Sequence, residues 1–320
     1  MNWREIKSLF LAKGGARLTG IPADGYVSRS AAGPGAGGMG SFFLNVAGKR
    51  VRISLDPLSD LVCEHHGGGK VTCTLKGTTI DAMLEKPGLH CPRQGYITVT
   101  SHCIFHCRYC AVPNLTGRKT IAEIENLIES VLPDIDAIAL TSGVLTSVEE
   151  EEEYVLQVIR RIRRFSLPIG VSIYPTLKTP ALLKEAGVME VKFNLETATD
   201  ALFSKMCPGL DRTGIKNALL ASVPLFGRGH VFSNIIFGLG ETDDELAACI
   251  TDLAENGIIA VLRPLNPTAQ AATIPRPSPD RIQRVFEIHQ DILARYNLSF
   301  SDAMTMCPAC AGCDMLPGVD

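Results

Sequence analysis

From Tyr96 onward the chain alternates short, almost continuously apolar runs with longer segments of helical periodicity, and this alternation constrains the fold more than any other feature. The strand-like runs are Tyr96–Thr100, Ala137–Thr141, Ile169–Tyr174, Val188–Leu195, His230–Phe237 and Ile258–Leu265. Helical patterns fall near 120–131, 147–164, 179–186, 212–225, 242–255 and 279–296. Six βα units result. Strands that are apolar on both faces belong to a parallel sheet covered by helices, and six such units closing partway round make an incomplete, TIM-like (β/α)6 barrel. Its site belongs at the C-terminal edge of the strands. The helices agree locally, since Leu246, Cys249, Ile250 and Leu253 share one face and Val155, Val158, Ile159 and Ile162 another. Cys249 therefore reads as core. The run Glu149–Glu153 opens a helix that ends in Arg160, Arg161, Arg163 and Arg164; this order complements the helix dipole and reads as a solvated face.

The residues before the barrel follow another pattern. Trp3, Ile6, Leu9 and Phe10 lie at helical spacing, as in a short docking helix. Ser28 to Gly40 is too rich in Gly and Pro for regular structure. A phosphate cradle would need a helix after this loop, but Ser41 to Leu55 reads as a hairpin. Further β-like pieces at Lys70–Leu75 and Thr78–Ile80 complete a small module. The expected organisation is an N-terminal helix and β-rich module over 1–94, a barrel over 95–298 and a Cys-rich tail over 299–320.

Two cysteine sets carry the chemistry. Ser101-His-Cys-Ile-Phe-His-Cys-Arg-Tyr-Cys110 places Cys103, Cys107 and Cys110 at C-x3-C-x2-C in the loop after the first barrel strand. Three thiolates can hold three irons of a 4Fe–4S cluster and leave the fourth iron open for chemistry. The competing reading is zinc, with His102 or His106 as a fourth ligand. In the tail, Cys307, Cys310 and Cys313 stand at C-x2-C-x2-C, which calls for a second 4Fe–4S cluster or a structural zinc. Cys91, Cys73 and Cys63, in that order, are the candidates for its fourth ligand. Cys207 reads as a core or loop thiol, and His65 and His66 as solvent-facing loop residues.

Six of the eleven Cys lie in these two tight sets, which favours metal ligation in a reducing compartment over disulfides. No apolar run approaches the roughly 18 residues of a membrane span. The charged first residues do not suit a secretory leader, so a cytoplasmic protein without a membrane partner is expected. A formal net charge of -3 gives no basic field for nucleic acid.

The C-x3-C-x2-C triplet after the first strand of a β/α barrel resembles the radical S-adenosylmethionine (SAM) superfamily, over about 200 residues from Tyr96 to Leu298. The resemblance implies that the open iron chelates SAM, whose reductive cleavage gives a 5′-deoxyadenosyl radical that abstracts hydrogen from an unactivated carbon. It also implies cofactor contacts for Tyr109, whose backbone lies near the adenine in relatives, and for Ser142 and Gly143 in Leu140-Thr-Ser-Gly143 at the end of the second strand. The acidic residue of the commonest version of that motif is missing. Phe105 is expected to shield the cluster.

Asn194-Leu-Glu-Thr197 and Gly238-Leu-Gly-Glu-Thr242 resemble the biotin synthase and lipoyl synthase branch. Asn194 and Glu196 then hold the SAM ribose and methionine, and the fifth strand, through Ile235 and Gly238, brings its backbone against the adenine. Two residues apart on a strand, Asn194 and Glu196 share a face. Arg263-Pro-Leu-Asn-Pro267 resembles a biotin synthase segment, and Arg263 suits either a SAM or substrate carboxylate or a structural acid.

The terminal Cys sets most resemble those of a two-component, archaeal-type lipoyl synthase, although the usual lipoyl synthase has its auxiliary cysteines before the radical triplet. The implied reaction removes hydrogen from a protein-bound octanoyl chain and adds sulfur from the auxiliary cluster. An octanoylated carrier protein or peptide, a second radical SAM subunit and an electron donor such as ferredoxin are the implied partners. The alternative is another biotin-synthase-like radical SAM enzyme, in cofactor assembly or carbon rearrangement, whose second cluster is structural or relays electrons.

Overall fold

The computed structural model describes residues 1–29, 40–112 and 117–320. Most of the Gly-rich loop, at 30–39, lies outside the described residues. The chain opens with helix α1 (Trp3–Lys13), whose Asn2 accepts from the Glu5 amide while the Glu5 carboxylate accepts from the Asn2 amide. Its apolar side buries Ile6, Phe10 and Leu11.

Six strands then close into a small barrel: β1 (Gly15–Gly20), β2 (Ser41–Val46), β3 (Lys49–Leu55), β4 (Val62–His65), β5 (Lys70–Leu75) and β6 (Thr78–Glu85), in the order β1-β3-β2-β6-β5-β4. β1 runs parallel to both β3 and β4, which joins the β2–β3 hairpin to the β4–β5–β6 meander and leaves no open edge. The Ser41–Leu55 hairpin is present, whereas β1 and β4 are strands that the sequence pattern did not suggest.

The larger unit alternates β7 (Gln94–Thr98), α2 (Ile121–Val131), β8 (Ala137–Thr141), α3 (Val148–Ile162), β9 (Ile169–Ser172), α4 (Thr179–Glu185), β10 (Glu190–Lys192), α5 (Asp200–Met206), α6 (Arg212–Phe226), β11 (Val231–Phe237), α7 (Asp243–Glu255), β12 (Ile259–Pro264) and α8 (Pro279–Arg295). Its six strands are parallel and in chain order, which is the predicted βα winding. Strand β11 is buried along its whole length, because helices cover one face and the barrel interior the other. Helices α2 and α7 start at reciprocal Thr–Glu capping boxes, Thr120/Glu123 and Thr242/Glu245.

The tail forms the short helix α9 (Met306–Cys310) and packs at the end of the barrel where the strands begin. Gln94 Nε2 donates to the Met306 carbonyl at 3.0 Å. Glu190, fully buried, accepts from the Met304 amide and from the Thr305 amide and hydroxyl. A Cβ at Gly170 would lie 2.0 Å from Thr305 Oγ1, so only glycine lets the tail approach β9 this closely. The tail also meets the small barrel, where the Arg52 amide donates to the Gly312 carbonyl at 2.8 Å. Among the described residues, no helix is long and apolar enough to cross a membrane.

Candidate active site

The loop after β7 has little regular structure of its own and is pinned from neighbouring segments. The Ile104 amide donates to the Val144 carbonyl and the Arg108 amide to the Met206 carbonyl, both at 2.8 Å. This brings Cys103, Cys107 and Cys110 into the wall of one cleft of about 900 Å³ at the C-terminal edge of the strands. Tyr109, Ser142, Gly143, Asn194 and Glu196 line the same cleft. Phe105 is there too, with its ring 5.0 Å from that of Tyr174.

Burial pushes the Cys103 thiol up and Cys110 up to about 12. Cys107 is pushed up by its hydrogen bond with Cys207 and by burial. Iron ligation must therefore displace protons from all three.

Gly143 sits where a Cβ would come within 2.0 Å of the His102 carbonyl oxygen, so a bare backbone lets the β8 end and the cysteine loop meet. An acid from the following helix packs behind this motif. Ser142 Oγ donates to Glu151 Oε1 at 2.6 Å, Thr100 Oγ1 donates to the same oxygen at 2.7 Å, and Arg118 pairs with Glu151 Oε2 at 2.6 Å. Glu151 and Glu152 are thus buried, and the reading of 149–153 as a solvated face fails for these two. Glu152 turns toward Thr176 and Thr179 at the start of α4.

β10 ends at Lys192, and the chain then steps past Asn194 to Glu196, which has φ +64° and makes an isolated bridge to Ile235. A non-glycine residue in the left-handed region beside a cleft is a strained position. Burial pushes the Glu196 carboxyl up, opposed by Asn194 and Tyr109 alongside it. Glu196 Oε2 and Thr98 Oγ1 are buried without a hydrogen-bond partner, and both residues line the cleft. Buried polar atoms are rarely left so unless a ligand completes them. The Tyr109 carbonyl accepts from Thr268 Oγ1 at 2.8 Å, and its hydroxyl lies 3.8 Å from Cys207 Sγ.

Three of the residues expected at the cofactor do not line this cleft. Ile235 is fully buried and does not line the cleft, because it alternates with Asn234 and Ile236 along β11. Gly238 also lies off the cleft: its amide donates to Glu241 Oε1 at 2.6 Å, and the space a Cβ would need is taken by Pro277. The Glu241 carboxylate also receives Leu239 and Arg281, so the Gly-Leu-Gly-Glu-Thr segment folds onto itself. Arg263 is committed to the tail, pairing with both oxygens of Asp314 at 3.0 Å.

A second cavity lies within the barrel and shares Thr141, Ser172 and Asn194 with the first. Cys91, Cys307, Cys310 and Cys313 all line it. Cys91 shares a hydrogen bond with Cys310, which holds the Cys310 thiol down, helped by Arg50 and Arg52, and pushes Cys91 well up. Lys192 Nζ lies 3.2 Å from Cys307 Sγ, and Arg52 Nη1 lies 3.8 Å from Cys313 Sγ. Asn234 Oδ1 is a further buried orphan in this lining.

Cys63 and Cys73 face one another across β4 and β5 with their sulfurs 2.9 Å apart, so both are used within the small barrel and neither is the fourth member of the tail set. His65 is likewise not a solvent-facing loop residue. It is buried at the end of β4, against the Ile21 carbonyl and the Gly69 amide.

Soft thiol donors, a glycine-tight wall and orphaned polar atoms fit an iron–sulfur cluster with a polar organic cofactor beside it. Among the described residues, no three His, Cys, Asp or Glu side chains converge closely enough to hold a single metal ion. An open parallel α/β barrel with a three-cysteine loop at its strand edge is thus the frame of an iron–sulfur enzyme. Residues 97–253 match the Radical SAM superfamily, and this stretch is a radical SAM domain with similarity to lipoyl and biotin synthases. The family implies a 4Fe–4S cluster and SAM.

The lipoyl synthase of Picrophilus torridus is 26% identical over 254 residues, which cover 72% of this chain and 84% of that protein. The biotin synthase of a Hydrogenobaculum species is 25% identical over 179 residues, 51% of each chain. The lipoyl synthase of Leptospira biflexa is 25% identical over 175 residues, 51% of this chain and 55% of that one. Among solved structures, methylornithine synthase (PylB) aligns with a TM-score of 0.52 at 18% identity, over 63% of this chain and 61% of its own. Streptococcus suis SuiB aligns with a TM-score of 0.54 at 12% identity, over 65% and 48%. Both share the fold.

Proposed function

We propose that the protein is a sulfur-inserting radical SAM enzyme, a lipoyl synthase component acting on a protein-bound octanoyl chain. The observation that carries this reading is the adjacency of the two cysteine-lined cavities, which share Thr141, Ser172 and Asn194 in their walls. One substrate carbon can then face both. The lipoyl and biotin synthases among the relatives support the same class of reaction.

Cys103, Cys107 and Cys110 would hold the radical cluster, and Cys91, Cys307, Cys310 and Cys313 the auxiliary one. When bound, the first cluster and SAM supply hydrogen abstraction from an unactivated carbon, and the second is the sulfur source. Asn194 and Glu196 present an amide and a carboxylate to the polar end of the cofactor. Phe105, Tyr174, Pro175 and Leu210 make the cleft wall apolar, which keeps water from a reactive centre. Lys192, Arg50, Arg52 and Arg263 place positive charge around the tail thiolates. Arg50 and Arg52 among them help hold the Cys310 thiol down. A second radical SAM subunit and a ferredoxin-like donor complete the proposed system.

The test is anaerobic reconstitution with iron and sulfide, followed by mass spectrometry of an octanoylated carrier peptide incubated with SAM and reductant. Sulfur gain supports the reading. Deoxyadenosine formation without sulfur gain, even with the partner subunit present, assigns the chain instead to another biotin-synthase-like reaction whose second cluster relays electrons.

A further inference from the structure

A third, more open cavity lies at the seam between the small barrel and the radical SAM domain and is lined by Arg52, Arg263, Arg276, Ser54, Asn266 and Cys313, among others. Three guanidinium groups from three separate segments therefore meet around one space. Arg263 is neutralised by Asp314. The other two are not. Arg52 donates Nε to Ser41 Oγ and Nη1 to Cys313 Sγ, while its Nη2 is buried with no partner. Arg276 donates to Asn266 Oδ1, and Asp56 reaches it only as a more distant charge. Among the described residues, neither Arg52 nor Arg276 forms an ion pair.

The sequence makes room for this arrangement. Gly14 ends α1 in the left-handed conformation, and a Cβ there would lie 2.1 Å from the Arg276 guanidinium carbon. Arg276 thus lies over bare backbone. Partly buried guanidinium groups without a counter-charge are costly, and their forked donors match the planar or tetrahedral oxygens of a carboxylate or phosphate.

We propose that the Arg52–Arg263–Arg276 cavity is an oxyanion-binding site that anchors a carboxylate or phosphate group beside Cys313. Arg276 is the principal anchor, since Arg52 is shared with a thiol and Arg263 with Asp314. The site is separate from the SAM cleft and does not depend on the sulfur-insertion reading.

Calorimetric titration of the anaerobically purified full chain with inorganic phosphate, and in parallel with acetate, tests it. Saturable binding is expected for at least one anion, weakened at least tenfold by Arg276→Gln and retained in part by Arg276→Lys. Tighter phosphate binding would assign the site to a phosphate group, and tighter acetate binding to a carboxylate. Phenylglyoxal modification mapped by mass spectrometry reads the same site in the unmutated protein. The bound anion should protect Arg276 and leave the exposed Arg160 unprotected. Absence of saturable binding, binding indifferent to Arg276→Gln, or equal modification of Arg276 with and without the anion would overturn the proposal.

Discussion

Ser142 Oγ lies 2.6 Å from Glu151 Oε1, which ties the end of the second barrel strand to the first turn of the following helix. The same carboxylate receives Thr100 and Arg118, so one buried acid joins the strand that leads into the cysteine loop, the strand beside it and the segment returning from the loop.

Glu151→Ala should therefore loosen the cleft wall. It strands the hydroxyls of Thr100 and Ser142 and the Arg118 guanidinium, at a cost of roughly 1–3 kcal/mol. SAM affinity, measured by equilibrium dialysis on the reconstituted protein, should fall, with Glu151→Gln intermediate. Unchanged affinity and unchanged urea midpoint would show that the acid does not organise the site.

Gly143→Ala places a methyl group against the His102 carbonyl. Overpacking of this kind costs roughly 1–3 kcal/mol. Because the displaced backbone leads directly to Cys103, the variant should also lose iron from the first cysteine set, read as iron per chain after anaerobic reconstitution. Gly25→Ala, where nothing lies within 4 Å of the added carbon and the backbone is not left-handed, is the control for iron content.

The two cysteine sets should load independently. Cys310→Ser is expected to remove about half of the bound iron while leaving SAM cleavage to deoxyadenosine in place. Cys107→Ser should remove the other half and abolish cleavage. Equal loss of cleavage in both variants would contradict separate roles.

Lys7 and Asp320 form a buried ion pair at 2.7 Å, and Lys7 also donates to the Ala311 carbonyl. Lys7→Ala leaves a buried carboxylate unpaired, which should cost roughly 3–5 kcal/mol. Asp320→Ala in the same background should recover part of that loss. A double-mutant cycle on urea unfolding measures the coupling; additive effects would show the pair to be unlinked.

His289 carries a pH dependence. It is fully buried with both ring nitrogens unpartnered, and burial pushes its pKa down to about 3 from 6.5. The unfolded chain therefore binds a proton that the folded chain refuses, and stability falls as pH drops below about 6.5. Between pH 7 and pH 5 this one residue should cost about 2 kcal/mol. His289→Leu should flatten the difference in urea midpoints between those pH values; an undiminished slope would assign it to other groups.

The barrel was legible because buried parallel strands leave near-continuous apolar runs such as Val231–Phe237, and the clustered cysteines because ligand spacing is local. Strands β1 (Gly15–Gly20) and β4 (Val62–His65) were not, since their short mixed sequences become strands only by pairing with one another and with β3 and β5. Helix α5 is too short for a periodic pattern to stand out. Partners distant in sequence were equally hidden. Nothing in Glu149–Glu153 indicates which acid turns inward, because its partners Thr100, Arg118 and Ser142 belong to other segments. Arg263 was left between two uses, and the structure settles it through Asp314, 51 positions later. Gly238 belongs to a segment whose own carboxylate, Glu241, receives its amide and that of Leu239, a pairing that sequence alone does not show.

Glu190 closes the strand-start end of the barrel by receiving Thr305, and Lys7 holds the last part of the tail from a helix 313 positions away in sequence. The tail cysteines thus acquire their neighbours only after the barrel strands, the tail and the first helix have come together. The metal proposed for that set would therefore load late in the protein's biogenesis. A nascent or tail-truncated chain could assemble the first cysteine loop but would carry an unplugged barrel, with Glu190 and Lys192 open to water and with no enclosed place for a second reactive group.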